Sequence, residues 1–218
     1  MTIKGVILDL DGVILSTDNF HYLAWKKLAD REKIYFDRKI NDRLRGVSRM
    51  ESLEIILEKS QKEYSEEEKN EMAEYKNTIY RESLKDLSST DIFPGVIKFL
   101  NYLDEKKIKM AIGSSSKNTK FILKQIDLFE RFSQAISDGT NISHSKPDPE
   151  VFLKAAVMLK LEPQNCLVIE DADAGIDAAK RGGMMALGVG PAKNNSDADI
   201  KADSILSLDY SLIPWSKE

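Results

Sequence analysis

Hydrophobic and polar positions follow two rhythms along this chain. Val6-Ile7-Leu8, after Gly5, is an unbroken apolar run that suits a strand buried on both faces of a parallel sheet. It stops at Asp9-Leu10-Asp11-Gly12, and Val13-Ile14-Leu15 lead into the helix-capping cluster Ser16-Thr17-Asp18. From there to about Leu87 the spacing is helical, with Phe20, Leu23, Ala24 and Leu28 on one stripe and Leu53, Ile56 and Leu57 on another. A long helix starts at Ser65, whose spacing to Glu68 is that of a capping box, and its face is Met72, Ala73, Tyr75, Lys76, Ile79, Tyr80 and Leu84. The pattern predicts four helices and no strand in this stretch.

After the turn Ile92-Phe93-Pro94-Gly95 the rhythm changes to strand alternating with helix. Helices are predicted over Val96–Lys107, around Phe121–Ile126, over Pro149–Leu159 and over Asp173–Arg181, the last closed by Gly182-Gly183. Strands are predicted at Lys109–Gly113, Gln134–Ser137, Cys166–Ile169 and Met184–Val189, with a short last one at Asp203-Ser204-Ile205. This is the pattern of an α/β fold built on a doubly wound parallel sheet. The first strand belongs to that sheet, so the helical stretch is an insertion. The expected division is a core of residues 1–15 and 88–218 and a helical cap of residues 16–87, joined by a two-stranded tether that can act as a hinge.

Composition narrows the function. With 32 basic and 36 acidic side chains, a net charge of −4 and no basic tail, the chain is not expected to bind nucleic acid. A single cysteine, Cys166, excludes an internal disulfide and reads as a small core residue, and two histidines exclude a His/Cys zinc cluster. No apolar run approaches the length of a membrane span and no signal peptide is evident, so the expected compartment is the cytoplasm.

In a parallel sheet the strand ends fall on one edge, which brings Asp9 and Asp11, the Ser114–Asn118 segment, Lys146 and Glu170-Asp171 together. Three carboxylates, Asp9, Asp11 and Asp171, repel one another unless a cation joins them, and an all-oxygen set suits Mg²⁺. Ser114, Ser116 and Asn118 offer hydroxyls and N–H groups to an anion, and Lys146 adds a fixed positive charge. Alone, each piece has an ordinary reading as a polar turn, a helix cap or a solvated lysine. Together they describe phosphoryl transfer through an aspartyl phosphate.

Two features of the insertion bear on the substrate. Ser48 and Glu51 have capping-box spacing, which puts Arg49 in a first helical turn, where the helix dipole disfavours a cation by a few tenths of a kcal/mol or more unless an anion joins it. His21 and Trp25 are four apart, on one face of the first cap helix, just past the tether. His21 also has an ordinary reading as a packing or surface residue, and His144 reads as a loop residue.

The four strand-end motifs, Asp9-Leu10-Asp11-Gly12-Val13, Ser114, Lys146-Pro147 and Glu170-Asp171, resemble those of the haloacid-dehalogenase superfamily across essentially the whole chain. The resemblance implies a Rossmann-type core with an inserted α-helical C1 cap. It makes Asp9 the nucleophile and Asp11 the general acid/base, with Ser114 and Lys146 holding the transferred phosphoryl group. It assigns Mg²⁺ to Asp9, the backbone carbonyl of Asp11, and Asp171, with Glu170 assisting from the outer shell. Asp11 argues against a dehalogenase, whose branch lacks a second aspartate.

Within the superfamily, Arg45-Gly46-Val47-Ser48-Arg49, His21, Trp25 and Ser114–Asn118 resemble the hexose-phosphate mutases. That resemblance implies interconversion of β-glucose 1-phosphate and glucose 6-phosphate through β-glucose 1,6-bisphosphate. Arg49, Ser116, Lys117 and Asn118 would then grip the non-transferring phosphate, Arg45, Gly46, Val47 and Ser48 would face the sugar, and Thr17 would lie at the hinge. Sugar phosphates are the implied partners, with a monomer as the expected state. A Mg²⁺-dependent sugar-phosphate phosphatase is the alternative, and a non-catalytic sensor of a phosphorylated ligand a weaker one. Ala172, where Ser or Thr is frequent, and Ser115, where a smaller residue is expected, depart from the pattern.

Overall fold

The computed structural model describes residues 2–44 and 47–216. Arg45 and Gly46, expected to face the sugar, lie outside the described residues. Six parallel strands, β1 (Gly5–Leu8), β2 (Lys109–Gly113), β3 (Ile136–Ser137), β4 (Cys166–Glu170), β5 (Met185–Val189) and β6 (Ile200–Ala202), form one sheet in the order β3-β2-β1-β4-β5-β6. The order reverses between β1 and β4, so their carboxyl ends open a crevice where ligands of such sheets bind.

The apolar run of β1 is buried throughout because both sheet faces are covered. Val6 and Leu8 join a cluster with Leu167, Ile169, Phe99 and Leu100, while Ile7 faces a second one with Val168, Phe152 and Ile176. Each such side chain contributes about 1.5–3 kcal/mol relative to exposure. Helices α5 (Val96–Glu105), α6 (Thr119–Gln125), α7 (Phe129–Phe132), α8 (Glu150–Leu159) and α9 (Asp173–Arg181) complete this layer structure. Cys166 is fully buried in the second cluster, and burial pushes its thiol up to about 11, as suits an inert core residue.

The insertion holds α1 (Asp18–Glu32), α2 (Arg38–Asp42), α3 (Arg49–Leu57) and α4 (Glu66–Ser83). It has its own core of Trp25, Leu28, Phe36, Leu53, Ile56, Met72 and Ala73, whereas Ala24, Tyr80 and Leu84 merge with the core of the sheet. Entry and exit run side by side, tied by a hydrogen bond from the Phe93 N–H to the Ile14 carbonyl at 2.8 Å.

Several expectations are corrected. The last strand is Ile200–Ala202, not Asp203–Ile205. Asp203 and Ser204 are turn formers, and Ser204 opens a 3₁₀ turn at Ile205–Ser207, so Ile205 is buried as part of a turn. The third strand shrinks to Ile136-Ser137, α5 stops at Glu105 ahead of Lys107 with its positive φ, and α4 ends at Ser83. Leu23 and Tyr75 face solvent, 46% and 38% exposed. Among the described residues, no helix is long and apolar enough to cross a membrane.

Candidate active site

A cleft of about 810 Å³ separates the sheet edge from the insertion. Asp9, Asp11, Ser114, Ser116, Lys117, Asn118, Lys146, Glu170 and Asp171 line it from the sheet, and His21, Trp25, Val47, Ser48 and Arg49 from the cap. The sequence-predicted residues that the structure describes therefore converge, with Thr17 just behind Asp11.

At the sheet edge the centre is Lys146, 2% exposed, whose ammonium donates to Asp9 Oδ1 and Glu170 Oε1, both at 2.5 Å. The lysine is buried and paired; the solvated reading falls. Burial alone pulls its proton affinity down, but the two carboxylates more than reverse that and hold it above the ordinary lysine value. Asp9 is pushed up to about 7, by burial first and by Glu170 and Asp11 after it, with Lys146 opposing. Asp171 is pushed up to about 8, again by burial first and then by Glu170, Asp9 and Asp11.

Two glycines make room for this concentration of charge. A Cβ on Gly12, whose φ is +88°, would lie 2.1 Å from Asp171 Oδ2, and one on Gly175 would lie 2.0 Å from the Glu170 carboxyl carbon. Carboxylate oxygens of Asp9, Glu170 and Asp171 lie within 4.8 Å of one another. Such a crowded all-oxygen set fits a hard divalent cation such as Mg²⁺. Glu170 spends Oε1 on Lys146 and Oε2 on the N–H groups of Asp171 (2.9 Å) and Ala172 (3.0 Å), which leaves it behind the other two. Ala172 thus supports the cluster through its backbone although it brings no hydroxyl.

Thr17 is the N-cap of α1 but makes no side-chain capping bond there. Its N–H and Oγ1 instead donate to the two oxygens of Asp11 at 2.6 and 2.7 Å, and Tyr80 Oη donates to Thr17 Oγ1 at 2.9 Å. Asp11 is thereby held by the first residues of the insertion, so tether geometry and carboxylate position are linked.

On the cap wall, sequence reasoning missed Lys76. It is 2% exposed, its Nζ sits 2.7 Å from His21 Nδ1, and it lies over the rings of Trp25 and Tyr80 at 4.6 and 4.5 Å. Burial first, then the nearby Arg49, holds Lys76 well below the ordinary lysine value, and His21 is likewise lowered by burial, Lys76 and Arg49. Trp25 is 2% exposed and serves mainly as cap core. The Ser48–Glu51 capping box forms as predicted and sets Arg49 at the start of α3. From the sheet side, Ser114 Oγ and Ser116 Oγ accept the N–H groups of Ser116 and Asn118 at 3.2 and 3.1 Å, which shapes the turn into α6. Asn118 Nδ2 crosses the cleft to Asn77 Oδ1 on α4 at 2.9 Å. The buried Ser115 hydroxyl has no hydrogen-bond partner among the described residues, and His144 sits exposed on its loop.

The cleft thus has a carboxylate pole able to bind a cation and attack, and a cationic pole facing it. The chain is 42% identical to a β-phosphoglucomutase of Bacillus subtilis, over 98% of this chain and 96% of that protein. It is 29% identical to a phosphorylated carbohydrates phosphatase of Thermotoga maritima, over 93% and 92% of the two chains. The crystal structure of a β-phosphoglucomutase from Clostridium difficile superposes with a TM-score of 0.91 at 42% identity, covering 96% of this chain and 95% of that one. The family model described as haloacid dehalogenase-like hydrolase matches residues 3–183, a span that includes Asp9, Asp11, Ser114, Lys146, Glu170 and Asp171, and the chain belongs to that family.

Proposed function

We infer that the protein is a Mg²⁺-dependent phosphomutase of the β-phosphoglucomutase type, acting on β-glucose 1-phosphate and glucose 6-phosphate in the cytoplasm. The observation that carries this reading is that one cleft joins Asp9, Lys146 and Ser114 at the sheet to Arg49 on the cap, beside 42% identity to the Bacillus enzyme. A phosphatase needs only the first pole. The tether at residues 15/16 and 87/88 is where the cap would move against the core.

In this reading an Asp9 carboxylate oxygen attacks phosphorus of the bisphosphate and the bond from phosphorus to the sugar oxygen breaks. Asp11 gives that oxygen a proton. In the other half-reaction Asp11 takes the proton of the incoming sugar hydroxyl, which attacks the phosphoryl group and frees Asp9. Lys146 and Ser114 hold the transferring phosphoryl; Arg49, Ser116, Lys117 and Asn118 hold the other phosphate while Val47 and Ser48 face the sugar. Lys76 and His21, paired with each other, stand near Arg49. Mg²⁺ on Asp9, the Asp11 carbonyl and Asp171, backed by Glu170, would supply charge to offset the phosphoryl oxygens.

The decisive assay gives the enzyme β-glucose 1-phosphate, a trace of bisphosphate and Mg²⁺, and follows glucose 6-phosphate and inorganic phosphate separately. Glucose 6-phosphate is expected to dominate; mainly inorganic phosphate would mean a phosphatase. Arg49→Ala is expected to cripple mutase turnover while some phosphoryl transfer from the bisphosphate to Asp9 survives. Equal loss of both would remove the second phosphate site.

Metal binding is expected to leave a pH-dependent mark on stability. Asp9 and Asp171 have folded-state values raised from 3.8 to about 7 and about 8, so the stability they lend is present below about 3.8 and is lost as pH rises through 7 and 8. A cation restores it by stabilising the ionised forms. Calorimetry with and without Mg²⁺ should show the largest gain in Tm above pH 8 and a shrinking gain toward pH 6; the reverse trend would place the cation elsewhere.

A further inference from the structure

The cationic pole already has an anion from within the chain. Arg49 Nη1 donates to Glu74 Oε1 at 2.5 Å, and both residues line the cleft. Arg49 begins α3, where the helix dipole disfavours a cation, and it stands near Lys76, so it requires a negative partner. Glu51 does not serve, because its carboxylate closes the capping box on the Ser48 N–H at 2.8 Å. Glu74 comes from α4, where Asn70, Glu74 and Asn77 line the cleft at helical spacing. Asn77 in turn holds Asn118.

Two magnitudes decide how Glu74 behaves toward a second phosphate. Its side chain is 70% exposed against 18% for Arg49, so the pair is of the surface kind, worth about 0.2–1 kcal/mol. A phosphate monoester carries more negative charge than a carboxylate and pairs with a guanidinium in the same bidentate way, so its pair with Arg49 is the stronger, and a carboxylate next to it repels the phosphate. The carboxylate can swing into water at little cost.

We propose that Glu74 is a positioning residue that acts through Arg49, its carboxylate competing with the non-transferring phosphate for the guanidinium and so loosening the grip on the bisphosphate. This rests on the reading of Arg49 as the second phosphate's ligand. A loose grip serves a mutase, since the bisphosphate has to leave Arg49 and turn round between half-reactions. Here α4 carries the modulating charge while α3 carries the binding one.

The test is Glu74→Gln in the full chain, with bisphosphate and β-glucose 1-phosphate as ligands. The bisphosphate concentration for half-maximal activation and the KM for β-glucose 1-phosphate are expected to fall about 1.4- to 5-fold, the factor that matches the strength of a surface pair, with kcat not raised. Phosphorylation of Asp9 by acetyl phosphate, a donor with one phosphate, should keep its wild-type concentration dependence. Unchanged or raised values for the two-phosphate ligand overturn the proposal, as does an equal fall for acetyl phosphate. Arg49→Ala separates the two levels of failure. If it leaves the bisphosphate dependence untouched, the second phosphate site itself is misplaced; if it raises that dependence and Glu74→Gln does nothing, only the role of Glu74 falls.

Discussion

Asp9→Asn is expected to remove turnover by on the order of 10⁴-fold or more while leaving a folded protein. Asparagine keeps the shape of the side chain but its amide is no nucleophile, so no covalent phosphoryl-enzyme forms. The fold should tolerate the change because burial is the largest influence on Asp9 and disfavours its ionised form, and Lys146 keeps its second partner, Glu170. Incubation with labelled bisphosphate followed by rapid denaturation reads the outcome: label stays on the wild-type protein and not on the variant. Label retained by the variant, or turnover near the wild-type rate, would move the covalent step away from Asp9. A melting temperature close to the wild type's in the same preparation would show that chemistry, and not folding, was lost.

What was legible in the sequence and what was not divides along physical lines. β1 and β4 could be read because both faces are covered, which leaves an unbroken apolar run, and the strand ends could be placed on one edge because parallel strands share a direction. Capping boxes at Ser48 and Ser65 depend on residues three apart and formed as read. β6 was misplaced because a three-residue edge strand carries too little pattern, and the buried Ile205 beyond it belongs to a turn.

Lys76 shows a different limit. It sits three residues after Ala73 and four before Tyr80, both buried, so periodicity placed it on the inner face. Nothing local says that this face borders a cleft, or that His21, 55 positions away, will meet it. Thr17 was legible as a helix start, yet its hydroxyl serves Asp11 rather than the cap, a choice fixed by the tertiary position of the tether. Glu74 is an exposed position of α4, and only the approach of α3 brings it to Arg49.

Lys146 gives the second large effect, this time on stability. Lys146→Ala leaves the carboxylates of Asp9 and Glu170, 6% and 1% exposed, without the ammonium that now touches both. Removing one partner from a buried ionic cluster costs about 3–5 kcal/mol, since the remaining charges keep their desolvation penalty and lose their compensation. For a chain of this size each kcal/mol moves Tm by roughly 2–4 °C, so a fall on the order of 6–20 °C is expected in metal-free buffer. Mg²⁺ should recover part of it by compensating Asp9, but not the part due to Glu170, which lies behind the cation site with Oε1 directed at Lys146. Adding Glu170→Gln to Lys146→Ala should then return stability, because it neutralises the carboxylate that was left alone, while Glu170→Gln by itself should destabilise. That opposite sign in a double-mutant cycle is the measurement that matters. Simple additivity of the two changes would mean that lysine and glutamate act independently, and that the charge balance at the end of β4 is set by something other than Lys146.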